Sequence, residues 1–356
     1  MSRAHLSCAA LVAVVAIGAL AGCERRTQLM PASSDSTKAT KADSFTVFAR
    51  RASERWESGV YDEAAGLSAR VVREALAARP NAPWVERTRG VLDSLGIAAE
   101  VVGSDQAEVM NLFSRTDPQG ESWPFLFWHD AASPRFQSVD GHGLHLIDVA
   151  ARGFGSNSTP GDSAQTAILW GRRVGSGQQP EAVVLKYAHG RWDLLQSLGG
   201  DSLGGTGTGE FASTDGAQQL TVRTYRPTPY FDECPTCPHV FHERRFAWGR
   251  TGFTRLDEHA VPSPYSTFTQ FIAALTLNDR DRATAFVVDR SLIDFAKRFE
   301  WDLPNRGRWR VAPATDDSAV EMVFLRGAKD AYRVRFESQD GDWLIAGFEP
   351  TTRAME

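Results

Sequence analysis

The sequence predicts an α+β protein that consists of several consecutive domains. Apolar residues recur at helical spacing between residues 43 and 100, whereas aromatic and β-branched runs separated by Gly, Asp and Ser dominate residues 101–260. After the segment VPSP at 261–264, two helical patterns precede four strand-like runs. Helices and antiparallel strands that follow one another in separate blocks are typical of the α+β class. We therefore expect an α+β multidomain chain.

The first 22 residues predict a secretory signal. Arg3 precedes an apolar run over 8–20, which is too short to span a bilayer as a stable helix. The letters LAGC, ending at Cys23, resemble the lipobox of bacterial lipoproteins. This resemblance implies that residues 1–22 are a lipoprotein signal peptide and that Cys23 is lipidated, so the chain would be extracytoplasmic and anchored to a bacterial membrane. Glu24 favours the outer membrane; a signal peptide without lipid is the alternative.

Residues 23–42 predict a disordered tether, and the charge of the chain argues against nucleic acid. The tether contains mainly Ser, Thr, Lys and Ala, with almost nothing to bury.

The chain has 39 Lys and Arg against 44 Asp and Glu, a net charge of −5, which opposes binding to a phosphate backbone. The expected partners are the membrane, through the lipid, and a protein or small-molecule ligand in the envelope.

Residues 43–100 predict a helical hairpin followed by a third helix. The second helix is expected over 61–78 and the third over 83–95, with Gly59 and Gly96 as stops. Around them, the stretch WESGVYDEAAGLSARVVREALAARPNAPW resembles a tetratricopeptide repeat in its turn glycine, aromatic residue, alanine and closing proline. Repeat arrays need about three copies to bury a continuous core. A single copy therefore predicts a repeat-like hairpin packed on the next domain, with an ordinary helical hairpin as the alternative. The residues that carry the resemblance are Gly59, Tyr61, Ala64 and Pro80.

Residues 101–260 predict an antiparallel β domain. From about residue 120, runs such as WPFLFWHD and QTAILWGRRV alternate with turns, and AHGRW, STDGAQ and WGRTGF are hairpin signals. The recurrent strand, glycine turn and aromatic residue also suggest propeller blades. Because about three hairpins are too few for the four blades of a closed propeller, we expect a sandwich or an open antiparallel sheet.

Residues 263–352 predict a smaller α+β domain. The stretches FTQFIAALTLNDRDRATAFVV and DGDWLIAGFEP are similar to the opening helices and the closing strand of the NTF2-like superfamily. This similarity implies a cone-shaped fold in which a curved sheet packs beneath helices. The second helix is expected to continue to about Phe299. The four strands are expected at 308–313, 319–325, 330–337 and 342–349.

The segment DECPTCPHVFH gathers the chemically active side chains Cys234, Cys237, His239 and His242. Cys2His2 is a legitimate zinc ligand set, but Pro238 has no backbone N–H to support a ligand sulfur, and on one strand the two histidines face opposite ways. A redox pair resembling that of thioredoxins needs a helix after the second cysteine, whereas a strand-like pattern follows here. In an oxidising compartment we therefore expect a local disulfide, with zinc as the alternative cofactor and none as the preferred expectation.

No catalytic residue is assigned from the sequence. Strand alternation places Val320, Met322 and Phe324 on one inner face, and Tyr332 is the polar group expected among the inner residues of the next strand. Enzymes similar to ketosteroid isomerase need a carboxylate inside the cone, and none is expected on the inner face of these strands. Asp289 and Asp294 of the second helix are the remaining candidates, although acids around DRSL are expected to cap a helix or face solvent. We therefore expect a lipid-anchored binding or scaffolding protein of the cell envelope. The alternatives are an enzyme with a pocket in the NTF2-like domain and a metal or redox protein that uses CPTC.

Overall fold

The computed structural model describes residues 44–79, 83–115, 120–131, 133–141, 143–214, 217–312 and 320–352. The predicted signal peptide (1–22), Cys23 and the rest of the predicted tether (to residue 42) lie outside the described residues. No described helix combines the length and the apolar character that crossing a membrane requires.

Three helices open the described chain: α1 (Ser44–Glu57), α2 (Tyr61–Ala78) and α3 (Trp84–Ser94). The bounds of α2 agree with those predicted, and α3 is one residue shorter at each end. Both predicted stops adopt a left-handed backbone, with φ of 76° at Gly59 and 63° at Gly96. Glycine tolerates this conformation because it has no Cβ.

Three four-stranded sheets follow in the described part of residues 99–260, and in each one every strand pairs antiparallel with its neighbour in sequence. Sheet A contains β1 (Ala99–Gly103), β2 (Ala107–Phe113), β3 (Ser122–Asp130) and β4 (Ser133–Ser138). Sheet B contains β5 (Leu144–Phe154), β6 (Pro160–Val174), β7 (Gly177–Ala188) and β8 (Arg191–Leu198). A short helix, α4 (Gly200–Leu203), leads to sheet C, which contains β9 (Thr206–Thr214), β10 (Ala217–Tyr225), β11 (His242–Gly249) and β12 (Gly252–Ala260).

The antiparallel character of this region is confirmed, but its division into three sheets differs from the predicted single sheet or sandwich. The sequence pattern does not reveal β1, β2 or β4. All seven residues of β2 are buried, because it packs between the helices and sheet B, so the usual alternation of apolar and polar residues is absent. Strand β4 is short and largely polar.

The three sheets stack face to face, and each interface has its own apolar core. Helices α1–α3 cover one face of sheet A, the other face of sheet A packs on sheet B, and sheet B packs on sheet C. Large residues of these three cores are, in order, Trp56 and Phe127, Trp128 and Trp170, and Leu220 and Trp248. The three sheets described in this region are fewer than the four blades that a closed propeller needs.

Carboxylates join the first strands of neighbouring sheets. Glu100 of β1 accepts the backbone N–H of Leu146 in β5 at 2.9 Å, next to a break in the register of that strand. Asp148 of β5 in turn accepts the N–H of Phe211 in β9 at 2.8 Å. These bonds satisfy backbone donors that the sheets themselves leave free.

The described residues of the C-terminal part form three α-helices, a 3-10 turn at Pro304–Arg306 and a fourth antiparallel sheet. The helices are α5 (Pro264–Thr276), α6 (Arg280–Thr284) and α7 (Ser291–Arg298), and sheet D contains β13 (Trp309–Val311), β14 (Glu321–Arg326), β15 (Asp330–Gln339) and β16 (Asp342–Pro350). The predicted strands agree with these bounds within about two residues.

The single second helix predicted to reach Phe299 is wrong, because the chain breaks between α6 and α7. There the backbone pairs with β16: Val288 N–H donates to Ile345 O at 3.0 Å, and Ile345 N–H donates to Phe286 O at 2.9 Å. The β-branched residues of this segment favour an extended backbone.

Alternation in sheet D follows the prediction except at its first residue. Met322, Phe324, Val334 and Phe336 are buried against α5 and α7, and Tyr332 is buried with them. Val320 is 62% exposed, because it precedes β14 and lies outside the pleated strand.

Candidate functional site

The loop 226–241, between β10 and β11, joins sheet C to the C-terminal part. Phe231 lies beside Trp309 as an extra parallel partner of sheet D. Asp232 N–H donates to Trp309 O at 2.7 Å, and Trp309 N–H donates to Tyr230 O at 2.8 Å. The Phe231 side chain is 2% exposed and lies in the core shared with α5. The loop is therefore fastened to the C-terminal part by both backbone and side chain.

Glu233 is the polar centre of this loop. Its side chain is 5% exposed, accepts the Tyr265 hydroxyl at 2.8 Å and the Thr228 N–H at 3.3 Å, and lies 3.3 Å from His239 Nδ1. Burial acts to raise the pKa of Glu233, but these hydrogen bonds outweigh it and leave the pKa below its ordinary value. The His239 ring stacks on Tyr225 with 3.7 Å between centroids. Glu233 thus links both ends of the loop to α5.

Cys234 and Cys237 form a disulfide, as predicted, in the middle of this loop. Both sulfur atoms are therefore engaged with each other. Strand β11 follows the pair, with no helix N-terminus at Cys237. His239 lies in the loop and not on the strand, which begins at His242, so the predicted arrangement of the two histidines on one strand is wrong. In the ranges that the structure describes, no three His, Cys, Asp or Glu side chains are grouped to hold a metal ion.

Tyr332 lies in a core filled by aromatic rings. It is 5% exposed, and its ring centroid lies 5.0 Å from that of Trp301 and 5.8 Å from that of Trp309. Burial raises the pKa of its hydroxyl. A phenol with a raised pKa is a poor proton acceptor at neutral pH.

The structure does not bring the two candidate carboxylates to Tyr332. Asp289 is exposed and accepts the N–H of Ser291 at 2.8 Å. Asp294 is exposed and pairs with both terminal nitrogens of Arg280, each at 2.8 Å. Local hydrogen bonds and a surface ion pair hold these acids outside the aromatic core.

A cleft of about 290 Å³, here called the junction cleft, opens where the loop 226–241 meets α5 and α6. The beginning of the loop, from Arg226, lines one part of it. Ala273 of α5 and Arg282 of α6 line another, and His242 and Arg244 of β11 complete it. Ligand sites in proteins are typically concave clefts with a mixed apolar and polar lining.

Arg244 is held rigidly at this cleft. It donates to the Thr224 hydroxyl at 2.8 Å and to Leu203 O at 3.3 Å, and it pairs with Glu258 at 2.5 Å. Its guanidinium lies directly against Gly204, where a Cβ would come within 1.7 Å of Nη1. Glycine is also required there by the backbone φ of 91°.

The other cationic groups of the cleft are less constrained. Arg226 makes a surface pair with Asp201 at 3.4 Å. Among the residues with described side chains, Arg282 has no ion-pair partner. Burial and the charge of Arg244 lower the pKa of His242, so that histidine is neutral at pH 7.

Two other clefts have less unbalanced charge. One of about 370 Å³ beside β4 includes Arg172, which Glu181 neutralises at 2.5 Å. One of about 270 Å³ beside β5 includes Asp148, whose carboxylate already accepts two backbone N–H groups. Of these three clefts, the junction cleft is the one in which several arginines converge.

No pattern in the sequence indicates Arg226, Arg244 or Arg282 as site residues. They come from a loop, a strand and a helix that are far apart in sequence, and no local spacing links them. His242, the candidate for the alternative zinc site, lies in the lining of the junction cleft.

Comparisons with known proteins give no family for this chain. No family model and no curated protein matches it. Among solved structures, the exotype rhamnogalacturonan lyase YesX is similar at 11% sequence identity with a TM-score of 0.19. That similarity covers 71% of this chain and 50% of the lyase chain, so the chain spans about half the length of that protein. A TM-score this low carries no argument about fold or function.

Proposed function

We propose that this protein is a lipid-anchored binding protein of the bacterial cell envelope and that the junction cleft is its ligand site. The observation that carries the proposal is the cleft itself. Its volume of about 290 Å³ is close to the lower limit of about 300 Å³ for small-molecule sites. It is formed jointly by sheet C and the helices of the C-terminal part. A rigid arginine and an apolar lining occur together in it.

The anchoring half of the proposal rests on the sequence. Cys23 in the lipobox-like LAGC would carry the acyl chains, and the outer membrane is the favoured location. Residues 23–42 would then act as a flexible tether with a reach of roughly 25 Å. That distance lets the binding part lie beside the membrane or away from it.

Within the α+β class, we propose a specific fold for each of the two parts that contain helices. Helices α1 and α2, joined by three residues, would form a helical hairpin similar to a tetratricopeptide repeat. Residues 263–352 would form an NTF2-like cone. Aromatic rings fill the inside of that cone, with Phe268 and Phe324 stacked at 3.7 Å. Binding at the outer side of α5, rather than catalysis inside the cone, fits this filling.

Closing the cleft tests the proposal. Ala273→Trp places a large side chain in the cleft from the partly exposed side of α5. Wild-type and variant full-length protein would be purified from the membrane fraction in detergent and compared by native mass spectrometry. We expect a bound small molecule on the wild type that is absent from the variant. An identical bound species on both proteins, or none on either, would contradict the cleft as ligand site.

A further inference from the structure

The charge around the junction cleft is unbalanced. Arg226, Arg244 and Arg282 line it, whereas the acidic partners of the first two, Asp201 and Glu258, are not part of its lining. Positive charge therefore exceeds negative charge at the cleft surface.

The existing ion pairs do not cancel this excess. The Asp201 side chain is fully exposed, and exposed pairs are weak because water and salt screen them. Glu258 is shared between Arg244 and Arg255, the latter at 3.1 Å. Arg282 has no such partner within the described ranges. An incoming anion therefore meets one free guanidinium and two whose charge is only partly compensated.

Arg244 supplies the fixed geometry that recognition needs. Its side chain is 12% exposed, and Thr224, Leu203 O and Glu258 hold it in one orientation. A preorganised guanidinium loses little entropy when it contacts an oxyanion. Arg244 contributes positive charge in a fixed position, since its Nη1 already donates to Thr224 and Leu203 O and its Nη2 to Glu258.

The rest of the cleft is not suited to a bare ion. Pro227, Pro229, Val240 and Ala273 give it an apolar lining beside the arginines. A ligand that carries both an oxyanion and an apolar portion satisfies both kinds of surface, whereas inorganic phosphate satisfies one.

We propose that the junction cleft binds a small organic oxyanion, a phosphate or carboxylate attached to an apolar group, with Arg226, Arg244 and Arg282 around the charged end. This inference rests on the proposed function and specifies its ligand class. Lys or Arg at a surface is common, but a half-buried, oriented guanidinium beside an unpaired one is a built arrangement.

Calorimetric titration of the detergent-solubilised full-length protein tests the ligand class. The probes are phenyl phosphate, benzoate, inorganic phosphate and benzyl alcohol, in a buffer without phosphate. We expect phenyl phosphate or benzoate to bind most tightly, inorganic phosphate more weakly and benzyl alcohol not at all. The tighter of the first two distinguishes a phosphate ligand from a carboxylate ligand.

Arg282→Gln and Arg280→Gln form a matched pair on the same short helix. Arg282 lines the cleft, whereas Arg280 is paired with Asp294 on the surface. Because Arg282→Gln loses one charge-assisted contact, its affinity for the probe that binds the wild type most tightly should fall about tenfold. Arg280→Gln should bind as the wild type does. Equal affinities of the two variants, or equal binding of benzyl alcohol and the oxyanions, would overturn the oxyanion assignment.

Ala273→Trp separates failure of this inference from failure of the proposed function. If it abolishes binding of benzyl alcohol while Arg282→Gln has no effect, the cleft binds ligands but not through an oxyanion. If no probe binds the wild type and native mass spectrometry finds no bound molecule, both proposals fail.

Discussion

Replacing Glu108 with Gln is expected to stabilise the protein above neutral pH. Glu108 lies in β2 beneath α3 and is 0% exposed, and neither carboxylate oxygen has a hydrogen-bond partner among the described residues. Burial raises the pKa of Glu108 to about 7, while the nearby Thr88 hydroxyl and the charges of Arg87 and Arg89 act to lower it. The carboxylate form is therefore unfavourable in the folded protein.

The size and sign of the effect follow from this pKa. A rise from the ordinary value of 4.5 to about 7 corresponds to about 3 kcal/mol of unfavourable ionisation in the folded state. The penalty is absent below about pH 4.5, grows as the pH rises, and is complete above about pH 7. Because Gln does not ionise, Glu108→Gln should have a higher free energy of unfolding than the wild type at about pH 8, by up to about 3 kcal/mol.

The assay is urea unfolding followed by tryptophan fluorescence at several pH values between about 5 and 8. His129 contributes a pH dependence of the opposite sign, because burial and the charge of Arg87 lower its pKa. Both proteins keep His129, so the difference between them isolates Glu108. The exposed Glu337→Gln serves as control. A variant that is less stable than the wild type at about pH 8, or a difference that does not change with pH, would refute the reasoning.

Three further predictions concern the anchor and the loop 226–241. Cys23→Ser should abolish incorporation of labelled fatty acid and release the protein from the membrane fraction; labelling equal to that of the wild type would contradict lipidation. Replacing Cys234 and Cys237 with Ser should lower the free energy of unfolding by about 2 kcal/mol, because the closed loop is short, and thiol titration of the denatured wild type should find neither residue free. Phe231→Ala should cost about 3–5 kcal/mol in the same urea assay, whereas Leu256→Ala, at a 54% exposed position, should cost under about 1 kcal/mol.

The regular elements could be predicted where periodicity is strong. Helix α2 follows the glycine stop at Gly59 and has one clear apolar face, and its bounds agree with the prediction. The strands of sheet D alternate because one face is buried and the other is exposed. In both cases a single face is buried, so apolar residues recur in the sequence with the period of the helix or the strand.

The other elements and the cleft residues could not be predicted from the sequence. Either both faces of the element are buried, or the contacts that determine its structure are distant in sequence. Strand β2 is covered on both sides, so its alternation disappears. The break between α6 and α7 depends on pairing with Ile345, which local spacing does not show. The arginines of the junction cleft likewise come from a loop, a strand and a helix that are far apart in sequence.

The cysteine-containing segment is best understood through the loop that carries it. Phe231 and Val240, on either side of the disulfide, are buried in the core of the C-terminal part. Glu233 ties the same loop to α5, and the disulfide closes the short segment between these attachments. Since the two ends of the loop also line the junction cleft, loosening it should move the lining relative to Arg282 on α6. If the junction cleft binds a ligand as proposed, loss of the disulfide should therefore alter that binding.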